Sequence, residues 1–83
     1  MSLVESKCAV EDLVTRDAYR VARQNIFPSV GSFEWHLRQN RERLIRAGAL
    51  KLIGGSWRVH PQAYDAVLME EGTRAALRRL VAA

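Results

Sequence analysis

The chain has 83 residues, of which 48% are hydrophobic and 27% are charged, a composition typical of one globular domain and not of a disordered tail. No run of about 18 apolar residues occurs, which excludes a membrane-spanning helix, and we expect a cytoplasmic protein. The single cysteine, Cys8, can form neither an internal disulfide nor a thiolate zinc site. Glycine-rich phosphate loops, paired catalytic carboxylates and nucleophile motifs are absent from the sequence, so we expect neither an enzyme nor a cofactor.

The net charge of +4 is concentrated in the middle of the chain. Residues 1–33 carry four basic and four acidic side chains, and residues 59–83 carry three of each. The segment 34–58 carries six basic side chains against two acidic ones: Arg38, Arg41, Arg43, Arg46, Lys51 and Arg58 against Glu34 and Glu42. Such a focused excess is typical of a surface that binds a polyanion, and it also fits a basic surface that serves only solubility.

A first helix is predicted at about 15–25. Thr15 is suited to cap its N-terminus, because the hydroxyl can accept a hydrogen bond from an amide of the first turn. Apolar residues recur on one face at helical spacing: Val14, Ala18, Val21 and Ala22. Pro28 disfavours helical backbone in the residue before it, so a tight connection is expected at 26–31.

A second helix is predicted from Ser32 to about Ala47, ended by Gly48. Its core face lies within one arc of about 80° and consists of Phe33, Leu37, Asn40, Leu44 and Ala47. The opposite face carries Trp35, Arg38, Gln39, Glu42 and Arg46, with Arg41 and Arg43 on the two flanks. This helix is therefore amphipathic, and its outer side is basic.

The segment 49–60 predicts a β-hairpin with Gly54-Gly55 at its tip, because two apolar alternations flank a glycine pair suited to a two-residue turn. This turn sets the register: Leu50, Lys51, Leu52 and Ile53 lie opposite Val59, Arg58, Trp57 and Ser56. One face is then apolar and packs on the helices, through Leu50, Leu52, Trp57 and Val59. The other face places Lys51 opposite Arg58, which is unfavourable unless an anion binds nearby or both side chains extend into water.

After the hairpin, Pro61 is suited to the first position of a helix, whose amphipathic pattern continues through Tyr64, Val67 and Leu68. Gly72-Thr73 interrupts the pattern, which fits either one kinked helix or two helices. The last segment offers an apolar stripe for a second copy of the chain, formed by Ala76, Leu77, Leu80 and Val81. We expect one domain over 11–83 after a loosely ordered lead-in at 1–10.

The order of elements is helix, tight turn, basic helix, glycine-turned hairpin and helix. It predicts a mainly α domain with a β-hairpin, arranged as a winged helix-turn-helix. In that arrangement the second helix enters the major groove of DNA, and the hairpin, or wing, reaches the backbone or the minor groove. The charge distribution selects the same segment, so together they favour binding of double-stranded DNA. Recognition of RNA is less expected, because the exposed aromatic pairs of sheet-based readers are absent.

A resemblance to small winged-helix proteins of phages and integrated elements lies in the stretch FPSVGSFEWHLRQNRERLIRAGALKLIGGSWRVHPQAYDAV, about half the chain. Such proteins include excisionases, AlpA-like prophage regulators and relatives with the MerR-like fold. The shared features are Pro28-Ser29, Trp35, Gly48-Ala49, the hairpin 50–59 and Tyr64. The resemblance implies DNA binding for gene control or for steering a recombinase partner. Glu34 departs from it, since a basic residue often precedes the tryptophan in such relatives.

Ten side chains are candidates for DNA contact: Ser29, Ser32, Trp35, Arg38, Gln39, Arg41, Arg43, Arg46, Lys51 and Arg58. Arginine and glutamine on the outer face of the second helix can hydrogen-bond to base edges, whereas the flanking and wing residues are better placed for phosphates. The two serines either hold a phosphate or cap the helix. Trp35 is exposed on the helical wheel, although related proteins bury theirs.

The sequence therefore predicts a nucleoid-associated DNA-binding protein of a bacterial or phage-like element. It would act as a transcriptional regulator or as an excisionase-type architectural factor, and one fold serves both roles. The alternative is a protein-interaction module that binds an acidic protein partner through the same basic helix and wing.

Overall fold

The computed structural model describes residues 10–82, and these form a mainly helical domain with a small antiparallel sheet. Its helices are α1 (Arg16–Ala22), α2 (Val30–Gln39), α3 (Arg41–Arg46) and α4 (Pro61–Ala82), preceded by a 3₁₀ turn at Val10–Asp12. Its strands are β1 (Val14–Thr15), β2 (Leu50–Ile53) and β3 (Ser56–Val59), in the order β1-β3-β2. The predicted class, mainly α with a β-hairpin, is confirmed. Most of the predicted lead-in, residues 1–9, lies outside the described residues.

The hydrophobic core lies between the helices and the inner face of the sheet. Its buried members are Tyr19, Phe27, Phe33, Leu37, Leu44, Ala49, Leu50, Val59, Tyr64 and Val67. Aromatic rings form its centre: the ring centroids of Tyr19 and Tyr64 are 4.7 Å apart, and those of Phe27 and Phe33 are 5.2 Å apart. Such pairs add to the stabilisation from burial of their large apolar surfaces.

The hairpin has the predicted register, with Leu50, Lys51, Leu52 and Ile53 opposite Val59, Arg58, Trp57 and Ser56. Gly54 and Gly55 have φ angles of +57° and +82°, the left-handed conformations that a primed two-residue turn requires. The predicted apolar face is buried only at its first pair. Leu52 is 57% exposed and Trp57 is half-buried, because the tip of the hairpin extends beyond the helices.

Strand β1 is a feature that the sequence did not predict. Val14 pairs with Val59 and Thr15 pairs with Arg58, so β3 becomes the central strand. A strand of two residues has no alternation that a periodicity argument can detect. Because β1 stops at Thr15, the edge of β3 at Ser56 and Trp57 has no strand beside it.

Helix α1 begins where predicted but buries a different face. The hydroxyl of Thr15 accepts a hydrogen bond from the amide of Ala18 at 3.0 Å, the predicted cap. The helix ends at Ala22. Of the predicted apolar face, Ala18, Val21 and Ala22 are exposed, whereas Val14 lies in β1 and packs against the core. Tyr19 makes the core contact instead, because its ring removes far more apolar surface from water than the small residues do.

The predicted second helix is divided into α2 and α3. Its N-cap is Ser29, not Ser32, and α2 therefore starts at Val30. The break lies at Asn40, whose side-chain amide donates to the carbonyl of His36 at 2.9 Å. Asparagine competes for backbone groups in this way, which accounts for an interruption that the apolar pattern does not show.

Helix α4 runs through Gly72-Thr73 without a break, which settles the choice between one helix and two. Its first half packs on the core through Tyr64 and Val67, whereas every described residue after Glu71 is exposed. Among residues 10–82, no helix combines the length and the apolar character that crossing a membrane requires.

Candidate nucleic-acid interface

The outer face of α2 is fixed by the burial of Phe33 and Leu37 on its inner face. Because side chains three and four positions apart share one side of a helix, Trp35, Arg38 and Gln39 lie on the opposite side, and all three are exposed. Trp35 is 60% exposed, as the helical wheel predicts, and is not buried like the corresponding tryptophan expected from the resemblance.

The hairpin lies beside one flank of α2. A cleft of about 410 Å³ separates Glu34 of α2 from Ser56 near the hairpin tip, and Trp57 lines the same cleft. Further along, the guanidinium of Arg41 lies 5.7 Å from the ring centroid of Trp57, a cation–π contact. Arg38 follows Glu34 by one helical turn, so it lies along the flank between these two contacts.

Lys51 and Arg58 are cross-strand neighbours on the hairpin, as predicted. Thr15 of β1 lies on the other side of Arg58, so both cations project from the sheet face opposite the core. Both residues are half-buried. Like charges in this position repel each other, and the repulsion is relieved when an anion binds between them.

Ion pairing divides the basic residues of the described chain, residues 10–82, into two sets. Those that pair with a carboxylate are Arg16, Arg20, Arg23, Arg43, Arg46 and Arg74. Those that make no ion pair there are Arg38, Arg41, Lys51, Arg58, Arg78 and Arg79. We call the first four of this second set, Arg38, Arg41, Lys51 and Arg58, the wing-side surface.

Arg43 is directed away from the wing-side surface, toward α4. Its Nη1 donates to Glu71 Oε2 at 2.9 Å and its Nη2 donates to Glu70 Oε1 at 3.2 Å. His36 joins this cluster: Nε2 lies 2.8 Å from Glu71 Oε1, and Nδ1 lies 2.8 Å from the hydroxyl oxygen of Tyr64. Burial, reinforced by the charge of Glu71, raises the pKa of Tyr64, so its hydroxyl stays protonated near neutral pH. Arg43 thus fastens α3 to α4.

Gln39 and Arg46 lie in another region of the surface, where α2 ends and α3 begins. They line an open depression together with Asn40, Glu42 and Arg43. Arg46 Nη2 lies 2.6 Å from Glu42 Oε2 one turn earlier, and both side chains are exposed. An exposed pair of this kind contributes only a few tenths of a kcal/mol, so Arg46 can exchange its partner for a phosphate at little cost.

Ser29 and Ser32 cap α2 by bonding to each other. The amide of Ser32 donates to Ser29 Oγ at 3.1 Å, and the hydroxyl of Ser32 donates to the carbonyl of Ser29 at 2.8 Å. Of the two predicted uses of these serines, the structure shows N-capping, which orders the first turn of the outer helix.

A second polar cluster, between α1 and α4, has no counterpart among the sequence predictions. Asp65 accepts hydrogen bonds from the hydroxyl of Tyr19 at 2.6 Å and from Nε and Nη2 of Arg23 at 2.9 and 2.6 Å. The bonds from Arg23 lower the pKa of Asp65, whereas burial raises the pKa of Tyr19. Arg23 and Asp65 are 42 residues apart, and no local pattern relates them.

Within residues 10–82, no group of three or more His, Cys, Asp or Glu side chains is arranged to hold a metal ion. In comparisons with known proteins, the chain matches no family model, no curated protein and no solved structure.

Proposed function

We propose that the protein is a winged helix-turn-helix DNA-binding protein in which α2 enters the major groove and the hairpin is the wing. The observation that carries this proposal is the wing-side surface: four cations without a carboxylate partner among the described residues, on neighbouring parts of α2, α3 and the hairpin. Like charges in directly opposed cross-strand positions, as Lys51 and Arg58 are, cost stability unless an anion binds near them.

The two elements differ in what they offer to DNA. On the outer face of α2, Arg38 and Gln39 are exposed and can form paired hydrogen bonds to guanine and adenine in the major groove. Lys51 and Arg58 lie on the hairpin, where a phosphate placed between them removes their repulsion and accepts hydrogen bonds from both. The helix is therefore assigned to reading bases and the wing to holding the backbone.

The resemblance to excisionases, AlpA-like regulators and MerR-like proteins supports the same function and adds a biological role. The protein would work in the cytoplasm, on the nucleoid, as a transcriptional regulator or as an excisionase-type architectural factor that assists a recombinase. A footprint separates these two roles. Several adjacent sites with bent DNA indicate the architectural role, whereas one palindrome over a promoter indicates regulation.

The proposal is tested by binding titrations at several salt concentrations, on a selected duplex and on a scrambled one. Lys51→Ala and Arg58→Ala should weaken binding about equally on both duplexes and reduce the log–log salt slope by about one, since one fewer counterion is released. Arg38→Ala and Gln39→Ala should each cost roughly 1–3 kcal/mol on the selected duplex and much less on the scrambled one.

Arg79→Ala is the matched control, because Arg79 is exposed and makes no ion pair within the described chain but lies near the end of α4. It should leave both affinities unchanged, and thermal melts should show that all variants fold. Equal losses on both duplexes for all four variants would indicate a general basic surface without a reading helix. Unchanged binding in all four would remove the DNA proposal and favour an acidic protein partner.

A further inference from the structure

The cleft between α1 and the wing brings Arg58, which the charge pattern of the sequence selected, close to two basic residues that it did not select. It is lined by Arg16 and Arg20 from α1 and by Arg58 from β3. These residues come from segments that are about forty residues apart, and the pairing of β1 with β3 brings the two segments together. Two carboxylates, from Asp17 and Glu34, line the same cleft.

The open edge of β3 supplies further donors to this cleft. Ser56, with its hydroxyl, and Trp57 lie beyond the end of β1, and both line the cleft. Ladder hydrogen bonds alternate in direction along a hairpin, and the pair next to a two-residue turn is hydrogen-bonded. The main-chain N–H of Trp57, one position further on, therefore points away from β2 and toward the open edge.

The ionic contacts inside the cleft are long. Arg16 Nη1 lies 3.5 Å from Glu34 Oε2, and Arg20 Nε lies 4.0 Å from Asp17 Oδ1. Only 17% of the Arg20 side chain is exposed, yet its buried Nε has no hydrogen-bond partner among the described residues. Buried polar groups are nearly always satisfied, so this unpartnered N–H, on a residue that lines the cleft, favours a shift of the Arg20 guanidinium toward an anion bound there.

We propose that this cleft binds one backbone phosphate of the DNA duplex, so that α1 forms part of the interface beside α2 and the wing. The inference rests on the proposed function, because the phosphate belongs to the same duplex that contacts the wing-side surface. Arg58 is shared by the two regions, which makes the path of the backbone continuous from the wing to α1.

The two carboxylates limit what the cleft can bind. Three guanidinium groups against Asp17 and Glu34 leave one net positive charge, enough for a phosphodiester, which carries a single negative charge. Glu34 holds Arg16 in the absence of DNA and opposes any anion that arrives. Glu34 therefore reduces the affinity of the site, and replacing it with a neutral residue should raise that affinity.

The test compares Arg20→Gln, Arg20→Lys and Glu34→Gln in salt titrations with duplex DNA, with Arg79→Gln as the control. Arg20→Gln should lower affinity about tenfold on selected and scrambled duplexes alike and reduce the salt slope by about one. Arg20→Lys should keep the slope, because it keeps the charge. Glu34→Gln should raise affinity a few-fold on both duplexes, and Arg79→Gln should change neither quantity.

The outcomes separate this inference from the proposed function. If the unaltered protein binds DNA and Arg20→Gln, folded by thermal melt, keeps its salt slope, the phosphate site is wrong and the DNA-binding function stands. If the unaltered protein binds no duplex, the proposed function fails first. Calorimetry with inorganic phosphate provides the last measurement. If phosphate binds tightly, Arg20→Gln abolishes that binding, and the salt dependence of DNA binding stays unchanged, then the cleft is a site for a free anion and the inference is wrong.

Discussion

The side of the domain that faces α4 and the side that faces the wing use arginine in opposite ways. Toward α4, Arg23 donates two hydrogen bonds to Asp65. Arg43 likewise donates one hydrogen bond to Glu71 and one to Glu70. Toward the wing, Arg38, Arg41 and Arg58 make no ion pair with any described residue. Arginine therefore joins helices on the α4 side and remains without a carboxylate partner on the wing side. The difference arises because the acidic side chains that accept these hydrogen bonds lie on α4.

This difference has opposite consequences for stability. Hydrogen bonds to charged groups contribute about 1.5–3 kcal/mol each when they are buried and less where water screens them, so the α4 side gains a moderate stabilisation from its arginines. On the wing side, cations that repel one another cost stability until an anion arrives. Substitutions on the α4 side should therefore lower stability and spare DNA binding, and those on the wing side should do the reverse.

The largest effect is expected when the wing-side surface is neutralised as a whole. The combined change Arg38→Gln, Arg41→Gln, Lys51→Gln and Arg58→Gln should lower DNA affinity at least about a hundredfold, since up to four phosphate or base contacts disappear. The free energy of unfolding should stay within about 0.5 kcal/mol or rise slightly, because the side chains are not in the core. Fluorescence anisotropy and urea unfolding measure the two quantities. A parallel loss of stability and affinity would contradict the separation of the two sides.

The next effect concerns Asp65, at the centre of the α1–α4 cluster. Asp65→Asn should lower the free energy of unfolding by about 1–2 kcal/mol near neutral pH, a value reduced because 41% of the Asp65 side chain is exposed to screening by water. Affinity for DNA should not change. Glu42→Gln is the control, because Glu42 belongs to an exposed pair with Arg46 and should change stability by less than about 0.5 kcal/mol.

The same cluster predicts a pH dependence with a definite sign. Because the bonds from Arg23 lower the pKa of Asp65 in the folded protein, this stabilisation is complete above the unfolded pKa of about 4 and disappears as pH falls through the folded value. The stability difference between the unaltered protein and Asp65→Asn should therefore shrink between about pH 5 and pH 2. A difference that stays constant in urea titrations over this range would show that the carboxylate is not ionised preferentially in the folded state.

A smaller effect is expected at Arg43. The sequence predicted that this residue contacts a DNA phosphate, whereas the structure shows it paired with the carboxylates of α4. Arg43→Gln should lower the free energy of unfolding by about 1 kcal/mol, since it breaks two partly exposed ion pairs with Glu70 and Glu71. Its effect on the DNA salt slope should be much smaller than that of Arg38→Gln. If both variants reduce the slope by about one, Arg43 leaves its carboxylates when DNA binds, and the two sides are not separate.

What the sequence predicted well is local. The register of the hairpin follows from Gly54-Gly55 and from an alternation that spans only a few residues on each side, and the structure reproduces every pair. The burial of Phe33, Leu37 and Leu44 follows from helical spacing in the same way. In such segments the local preferences of the residues agree with the global fold, so a short stretch of sequence is enough to predict the strand register or the buried face.

What the sequence missed is set by contacts between distant segments. Nothing near Arg23 indicates that Asp65, 42 residues later, will hold it, and nothing near Arg20 indicates a cleft beside Ser56. The predicted core face of α1 was wrong at Ala18, Val21 and Ala22 for a related reason. These residues match the helical period, but the large ring of Tyr19 packs in the core instead. A charge count along the chain therefore locates the basic region and cannot say which of its members are already paired.

A small effect on stability is also expected at the end of α4, where the predicted homodimer can be tested. Removing residues 73–83 should change the free energy of unfolding of the monomer by less than about 1 kcal/mol, because residues 73–82 are all exposed. Leu77 and Val81 line an open apolar groove there, beside Arg74 and Arg78. If a second copy binds this stripe, sedimentation at tens of micromolar should show a dimer for the full chain and a monomer after truncation. A monomer in both cases would remove the dimer and leave DNA contact to one wing-side surface at a time, so the protein would need no palindromic site.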